Sequence, residues 1–205
     1  MKHQFYFLAF LLLSFTAESQ TSSNSKTESV RLAIGRSFNG TGDLEGISFE
    51  AAYVVPLSPR FDLAPGFTTT IHYGYDAMVH DGYPDQSLRF VTAGLQLNPV
   101  VEYKFITAGP HTFKIIGGGL ARFQSTSVPE IYSTYSPTPT NPEPTYVINK
   151  FGKQNTFTVG YIAGLGYMFD ISPKWEIGLK GMFQNDTNGD VVTQIAFVVG
   201  RKVTP

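Results

Sequence analysis

An all-β fold, a single antiparallel up-and-down barrel of about eight strands, is predicted by three features of this 205-residue chain. Apolar and polar residues alternate with a period of two through successive segments. The connections between those segments alternate between short and long. The composition couples 14% aromatic residues and 20 glycines to only 15% charged residues, a balance that suits strands and tight turns better than solvated helices.

Taken in order, the first alternating segment is Val30 to Phe38. In the second, Ile47, Phe49, Ala51, Tyr53 and Val55 oppose Ser48, Glu50 and Ala52. The third, Phe61 to Tyr75, sets Phe61, Leu63, Phe67, Ile71, Tyr73 and Tyr75 against Asp62, Gly66, Thr68, Thr70, His72 and Gly74. The fourth, Val91 to Phe105, repeats the pattern, and Phe113 to Phe123, Phe157 to Phe169, Trp175 to Phe183 and Val191 to Gly200 complete the set. Pro56 to Arg60, Thr107 to His111 and Ser172 to Lys174 read as short turns, whereas Asn39 to Gly46, Asp76 to Ser87 and Ser125 to Lys153 are longer and polar. The prolines between Pro129 and Pro144 predict an extended or disordered stretch, the tip of the longest loop. Pro65 and Pro99 fall inside strand patterns, where each removes a ladder donor, so bulges or strand breaks are expected beside both.

Alternation alone does not say whether the apolar face meets a protein core or lipid. The other face is more telling, because its positions are mostly Gly, Thr, Ser, Gln and Asn rather than the many Lys and Glu of a soluble barrel's exterior. Aromatic residues gather at the strand ends of the apolar face, among them Phe61, Tyr73, Tyr75, Tyr103, Phe105, Phe157, Tyr167, Phe169, Trp175 and Phe183. Aromatic girdles at two membrane interfaces account for that placement. A tilted strand of about ten residues covers the roughly 25 Å apolar band of an outer-membrane barrel. A soluble lipocalin-like binding protein with the opposite facing is the alternative architecture.

The N-terminus reads as an address. Lys2 and His3 precede the apolar run Phe5 to Phe15, and Ala17 and Ser19 form a small-x-small pattern. A signal peptide over residues 1–19, a flexible Ser- and Thr-rich leader over 20–28 and a barrel domain over 29–203 are therefore expected. The absence of cysteine excludes disulfides and thiolate metal sites. A formal net charge of -1 offers no basic field for nucleic acid.

With these residues in place, the chain resembles the small outer-membrane β-barrels of Gram-negative bacteria, akin to OmpA/OmpX-type barrels, and especially their Bacteroidetes-like branch. The carriers are the Ala17-x-Ser19 then Gln20 signal end, the Pro-Leu-Ser-Pro turn at 56–59, the strand Leu97 to Phe105 and the Gly-rich strand Gly117 to Phe123. None is a catalytic motif. The sequence departs from the family's terminal aromatic residue, finishing in Gly200-Arg-Lys-Val-Thr-Pro205. The resemblance implies a monomeric barrel in outer-membrane lipid, working as envelope structure or through its external loops.

If apolar residues face lipid, then Arg31, Glu50, His72, Glu102, Lys104, Lys114, Arg122, Glu176 and Lys180 point into the lumen. An eight-stranded interior is just wide enough for side chains to fill, so these charges are expected to pair into a plug. A narrow porin-like channel past Glu50, Glu102, Arg122 and Lys180 is the alternative. For catalysis, His80 and Asp81, near Asp76, Asp85 and Ser87, form a loose cluster without ordered spacing, and His111 sits in a turn. The Asp186 to Asp190 run lacks the bidentate Glu of a calcium loop and reads as a hairpin tip. No enzyme activity, cofactor or metal is expected. Ile131, Tyr132, Tyr135 and Tyr146, within 125–153, are apolar handles that either anchor a surface partner or fold over the barrel's own mouth.

Overall fold

The computed structural model describes residues 27–40, 44–78, 86–142 and 145–203. The expected signal segment and most of the leader lie outside the described residues, as do His80, Asp81 and Asp85. Eight antiparallel strands, β1 (Glu28–Asn39), β2 (Leu44–Pro56), β3 (Phe61–Met78), β4 (Gln86–Ala108), β5 (His111–Tyr135), β6 (Thr145–Asp170), β7 (Trp175–Asp186) and β8 (Val191–Val203), follow one another around a ring. The ring closes where β1 pairs with β8, from Glu28↔Val203 to Asn39↔Val192. No helix among the described residues is long and apolar enough to cross a membrane.

Each alternating segment of the sequence lies within one strand, and the period of two becomes an inside and an outside. Along β8, Val192, Gln194, Ala196, Val198 and Gly200 are buried while Thr193, Ile195, Phe197 and Val199 are exposed. Large apolar side chains cover the exterior, from Ile34 and Leu97 to Leu165 and Leu179. The interior carries Ser37, Thr68, Gln96, Arg122, Glu176 and Gln184, all buried. That is the reverse of a soluble lipocalin-like barrel. A 12-residue strand such as β1 rises about 40 Å and, tilted by about 45°, spans roughly 28 Å, enough for the apolar band of a membrane barrel.

Two expectations are corrected. The stretch from Ser125 to Lys153 is not a loop across its length: β5 continues through Pro129 to Tyr135, β6 begins at Thr145, and only 136–144 lie between the strands. Ladder bonds between the two strands hold the segment, and the register shifts between Pro129 and Ile131, where proline has no N–H to give. No bulge forms at Pro65 or Pro99. The two prolines are cross-strand partners, Pro65↔Pro99, in an unbroken β3–β4 register. Their missing donors face the other way, where pairing lapses between Ala52↔Gly66 and Val55↔Leu63 and between Leu97↔Ala121 and Val100↔Gly118, with the register the same on either side. The shift in the barrel wall falls instead between Lys104 and Ile106, leaving Phe105 and Ile106 both exposed.

The wall is uneven in height. β5 and β6 are 25 and 26 residues long against 12 and 13 for β1 and β8. Beyond the last β4–β5 pair, Val91↔Ser127, and the last β6–β7 pair, Gly160↔Asp186, these two strands continue as a hairpin with no neighbouring strand on either side among the described residues. The short turns lie at the opposite end, with both outer ends of the β1–β8 seam. The tightest joins Ala108 to His111 through Gly109, whose φ of 60° suits the first central position of a type II′ turn, followed by Pro110.

Candidate functional site

Inward-pointing positions on all eight strands converge on the lumen. At the turn end, Arg31 on β1 places Nε 2.6 Å from Glu176 Oε1 and Nη1 2.7 Å from Glu102 Oε2. Glu102 also accepts from Lys114 Nζ at 2.7 Å, and Lys114 lies 3.3 Å from Asp62 Oδ2. Lys104 approaches Asp62 Oδ1 at 2.7 Å, and Lys202 reaches Asp170 at 2.6 Å. One network of alternating charge therefore crosses from β1 and β7 to β3, β4 and β5. Such a mesh keeps each buried carboxylate within reach of a cation, which is what its burial requires.

Toward the hairpin end, Arg122 donates to Gln96 Oε1 at 2.9 Å, to Gln184 Oε1 at 2.6 Å and to Asp186 Oδ2 at 3.2 Å. Thr158 Oγ1 also donates to Asp186 at 2.9 Å, and the other oxygen of Asp186 accepts from the backbone N–H groups of Asn188 and Asp190. Asp186 is thus committed to the barrel and its own turn. Burial and the adjacent Asp186 raise the Asp190 carboxyl above its ordinary value, partly offset by Arg122. Between the two networks lies an apolar waist containing Val54, Ala64, Val100, Ile116, Leu120, Ile162 and Met182. Lys180 and Glu50 pair beside it, with Thr68 donating to Glu50 at 3.3 Å. A cavity of about 30 Å³ borders Arg31, Glu50, Glu102, Lys114 and Lys180, room for one or two waters.

Of the nine charged or ionisable residues read from the sequence, Arg31, Glu102, Lys104, Lys114 and Glu176 meet in the turn-end network. Glu50 and Lys180 form a separate pair. Arg122 belongs to the other end, and His72 meets no carboxylate: its Nε2 lies 2.9 Å from Ser37 Oγ. Sequence reasoning passed over Asp62, Asp170, Asp186 and Lys202 as members. The signal for Asp186 was present, because the parity that turns Glu176, Lys180 and Gln184 inward continues to it along β7.

Glycine makes two of these contacts geometrically open. Glu176 is paired with Gly200, and Gly200 with Arg31, so Glu176 lies across β8 to touch a strand two places away. A Cβ at Gly200 would stand 2.5 Å from Glu176 Oε1 and 2.6 Å from its Cγ. His72 crosses Gly46 in the same way to reach Ser37, and a Cβ there would meet its Cδ2 at 2.8 Å. Gly200→Ala is therefore expected to cost about 1–3 kcal/mol, read as a lowered urea midpoint of the folded protein in vesicles. Gly181→Ala, on the outer face with nothing within 4 Å, is expected to leave that midpoint unchanged or slightly raised.

Ile131, Tyr132, Tyr135 and Tyr146 all lie on the β5–β6 hairpin, with Tyr132↔Ile148 and Thr134↔Tyr146 as cross-strand partners. Tyr135 is exposed. His111 opens β5 at the turn end, exposed, with Nδ1 2.7 Å from Tyr167 Oη.

Fold and lumen together define a membrane-spanning β-barrel of eight strands, apolar outside and filled by paired charges inside. No protein-family model matches the chain, and no curated protein sequence does. Solved structures do. The barrel is similar to the crystal structure of Ail, the attachment invasion locus protein of Yersinia pestis, at 10% identity over 88% of this chain and 100% of that one, with a TM-score of 0.52. It is likewise similar to Ail in complex with the heparin analogue sucrose octasulfate, at 10% identity over 87% of this chain and 99% of that one, with a TM-score of 0.54. Neisserial surface protein A matches at 13% identity over 88% of this chain and 98% of that one, with a TM-score of 0.46. At these identities the likeness is one of fold: the architecture is that of the small outer-membrane barrels.

Proposed function

We propose that this protein resides in the outer membrane as a monomeric, non-enzymatic barrel, exported by a signal segment cleaved after Ser19, and that it serves envelope structure and contact with surface partners. The observation that carries this reading is the inside-out wall, whose exposed face is a belt of Leu, Ile, Val and aromatic side chains. In water such a belt would far exceed the patches that soluble proteins leave open. The contact role rests on the β5–β6 hairpin. Its eight β5 residues beyond Ser127 extend roughly 26 Å, carrying Ile131, Tyr132, Tyr135 and Tyr146 away from the wall.

The filled lumen favours structure over conduction. The apolar waist and the Arg31, Glu102 and Lys114 mesh occupy the space a permeating ion would use. The barrel is expected to give no steady conductance in planar bilayers. Envelope fractionation followed by gel electrophoresis with and without boiling tests the location. An outer-membrane band whose mobility shifts on heating is expected; recovery from the soluble periplasmic fraction would overturn the proposal.

A further inference from the structure

Two of the turns at the short-turn end are copies of one another. Leu57-Ser58-Pro59-Arg60-Phe61 joins β2 to β3, and Ile171-Ser172-Pro173-Lys174-Trp175 joins β6 to β7, four strands further round the ring. In each, the aliphatic and serine N–H groups donate to the aromatic residue's carbonyl, at 2.9 and 3.0 Å in the first turn and 3.0 and 3.2 Å in the second. The serine Oγ accepts from the N–H groups of the cation and the aromatic, at 3.4 and 3.1 Å and at 3.3 and 3.1 Å. The carbonyl of the cationic residue accepts from a lysine of the next strand, Lys104 or Lys202, at 2.8 Å in both cases. Each of those lysines turns its own ammonium inward to an aspartate, Asp62 or Asp170.

What this shared geometry presents outward is also the same: an exposed aliphatic residue, an exposed cation and an aromatic ring at the rim of the apolar belt. Arg60 and Lys174 have no carboxylate partner among the described residues, whereas the exposed Arg36 at the other end is held by Glu45 at 2.5 Å. The second turn is stronger. Arg201, cross-strand from Trp175, places its Cζ 5.8 Å from the indole centroid and likewise lacks a carboxylate. An apolar anchor, an interfacial ring and one or two uncompensated cations at one depth match an anionic phospholipid, whose acyl chain, glycerol region and phosphate follow in that order.

We propose that the twin turns are binding points for anionic phospholipid headgroups of the inner leaflet, with Lys174, Trp175 and Arg201 forming the tighter one and Arg60 and Phe61 the other. The inference rests on the outer-membrane location proposed above, taken with the short turns on the periplasmic side as they lie in membrane barrels. Lys174 and Arg201 supply the charge, and Trp175 holds Arg201 against the interface.

Trp175 is the single tryptophan of the chain, so its fluorescence reports this site alone. The test places the full barrel in phosphatidylcholine vesicles containing a fixed fraction of acyl-brominated phosphatidylglycerol or, in parallel, acyl-brominated phosphatidylcholine. Quenching by the anionic lipid is expected to reflect about fivefold enrichment or more beside Trp175, to weaken with salt, and to persist when inorganic phosphate replaces chloride at equal ionic strength. Lys174→Gln with Arg201→Gln is expected to bring the two lipids to equal quenching, with the heat-shifted band intact. Moving the reporter, by Phe61→Trp with Trp175→Phe, should show the weaker preference at the other turn, lost in Arg60→Gln. Equal quenching in the unaltered barrel, or a preference that survives the double substitution, overturns the proposal. Quenching by neither lipid would instead overturn the membrane reading on which it stands.

Discussion

Replacing Arg31 by methionine is expected to cost about 3–5 kcal/mol of stability, the largest loss from any single lumen substitution. Arg31 is buried and holds both Glu102 and Glu176 through separate nitrogens of its guanidinium. Removing it leaves Glu176 without its close cation and Glu102 with Lys114 alone. An uncompensated buried carboxylate, rather than the lost pair itself, sets the size of the effect. Equilibrium urea unfolding in phospholipid vesicles measures it. Arg31→Lys keeps the charge but not the two-sided fork, so an intermediate midpoint is expected. Replacing Arg31, Glu102 and Glu176 together by apolar residues should recover much of the loss. A midpoint for Arg31→Met equal to that of the unaltered protein would show that the mesh is not holding these carboxylates.

Leu165→Arg is expected to cost about 2–4 kcal/mol when the barrel is folded in a bilayer. Leu165 lies midway along the part of β6 that pairs with β7 and is 62% exposed. On a soluble protein an exposed Leu→Arg change would alter stability by no more than about 0.5 kcal/mol, so the size of the loss reports the medium that surrounds the side chain. The same substitution at Val203, the last residue of β8, should cost only about 0–1 kcal/mol because it lies near an interface. Equal effects at the two depths would mean that the outer face does not meet hydrocarbon.

Strand positions were legible because a period of two needs no knowledge of neighbours. Ile47 to Val55 and Val191 to Gly200 each announce an inside and an outside from their own residues. Strand length was less so. Pro129, Pro137 and Pro139 signal loop chemistry locally, yet β5 runs through the first of them because β6 supplies cross-strand partners that no local window contains. The prolines in the wall misled in the opposite direction: Pro65 and Pro99 are tolerated because each stands opposite the other, a pairing fixed by the β3–β4 register and 34 positions apart in the chain. The set of lumen charges could be read from parity, but their partners could not. Arg31 and Glu102 are 71 positions apart and meet only because the ring brings β1 opposite β4. The Gly200 and Gly46 crossings were equally hidden, since nothing local says that a side chain from a neighbouring strand lies over a glycine.

The β1–β8 seam has a consequence for how this molecule can come into being. Its first strand is sealed only by its last, from Glu28↔Val203 onward, so no shorter portion of the chain is a finished object. Until Val191 to Val203 arrive, β1 and β7 each present a bare row of peptide groups, and hydrocarbon offers such rows no partner. Insertion must therefore be nearly all-or-none. Until Val191 to Val203 dock on Glu28 to Asn39, the chain keeps two open strand edges that can pair with another copy of itself.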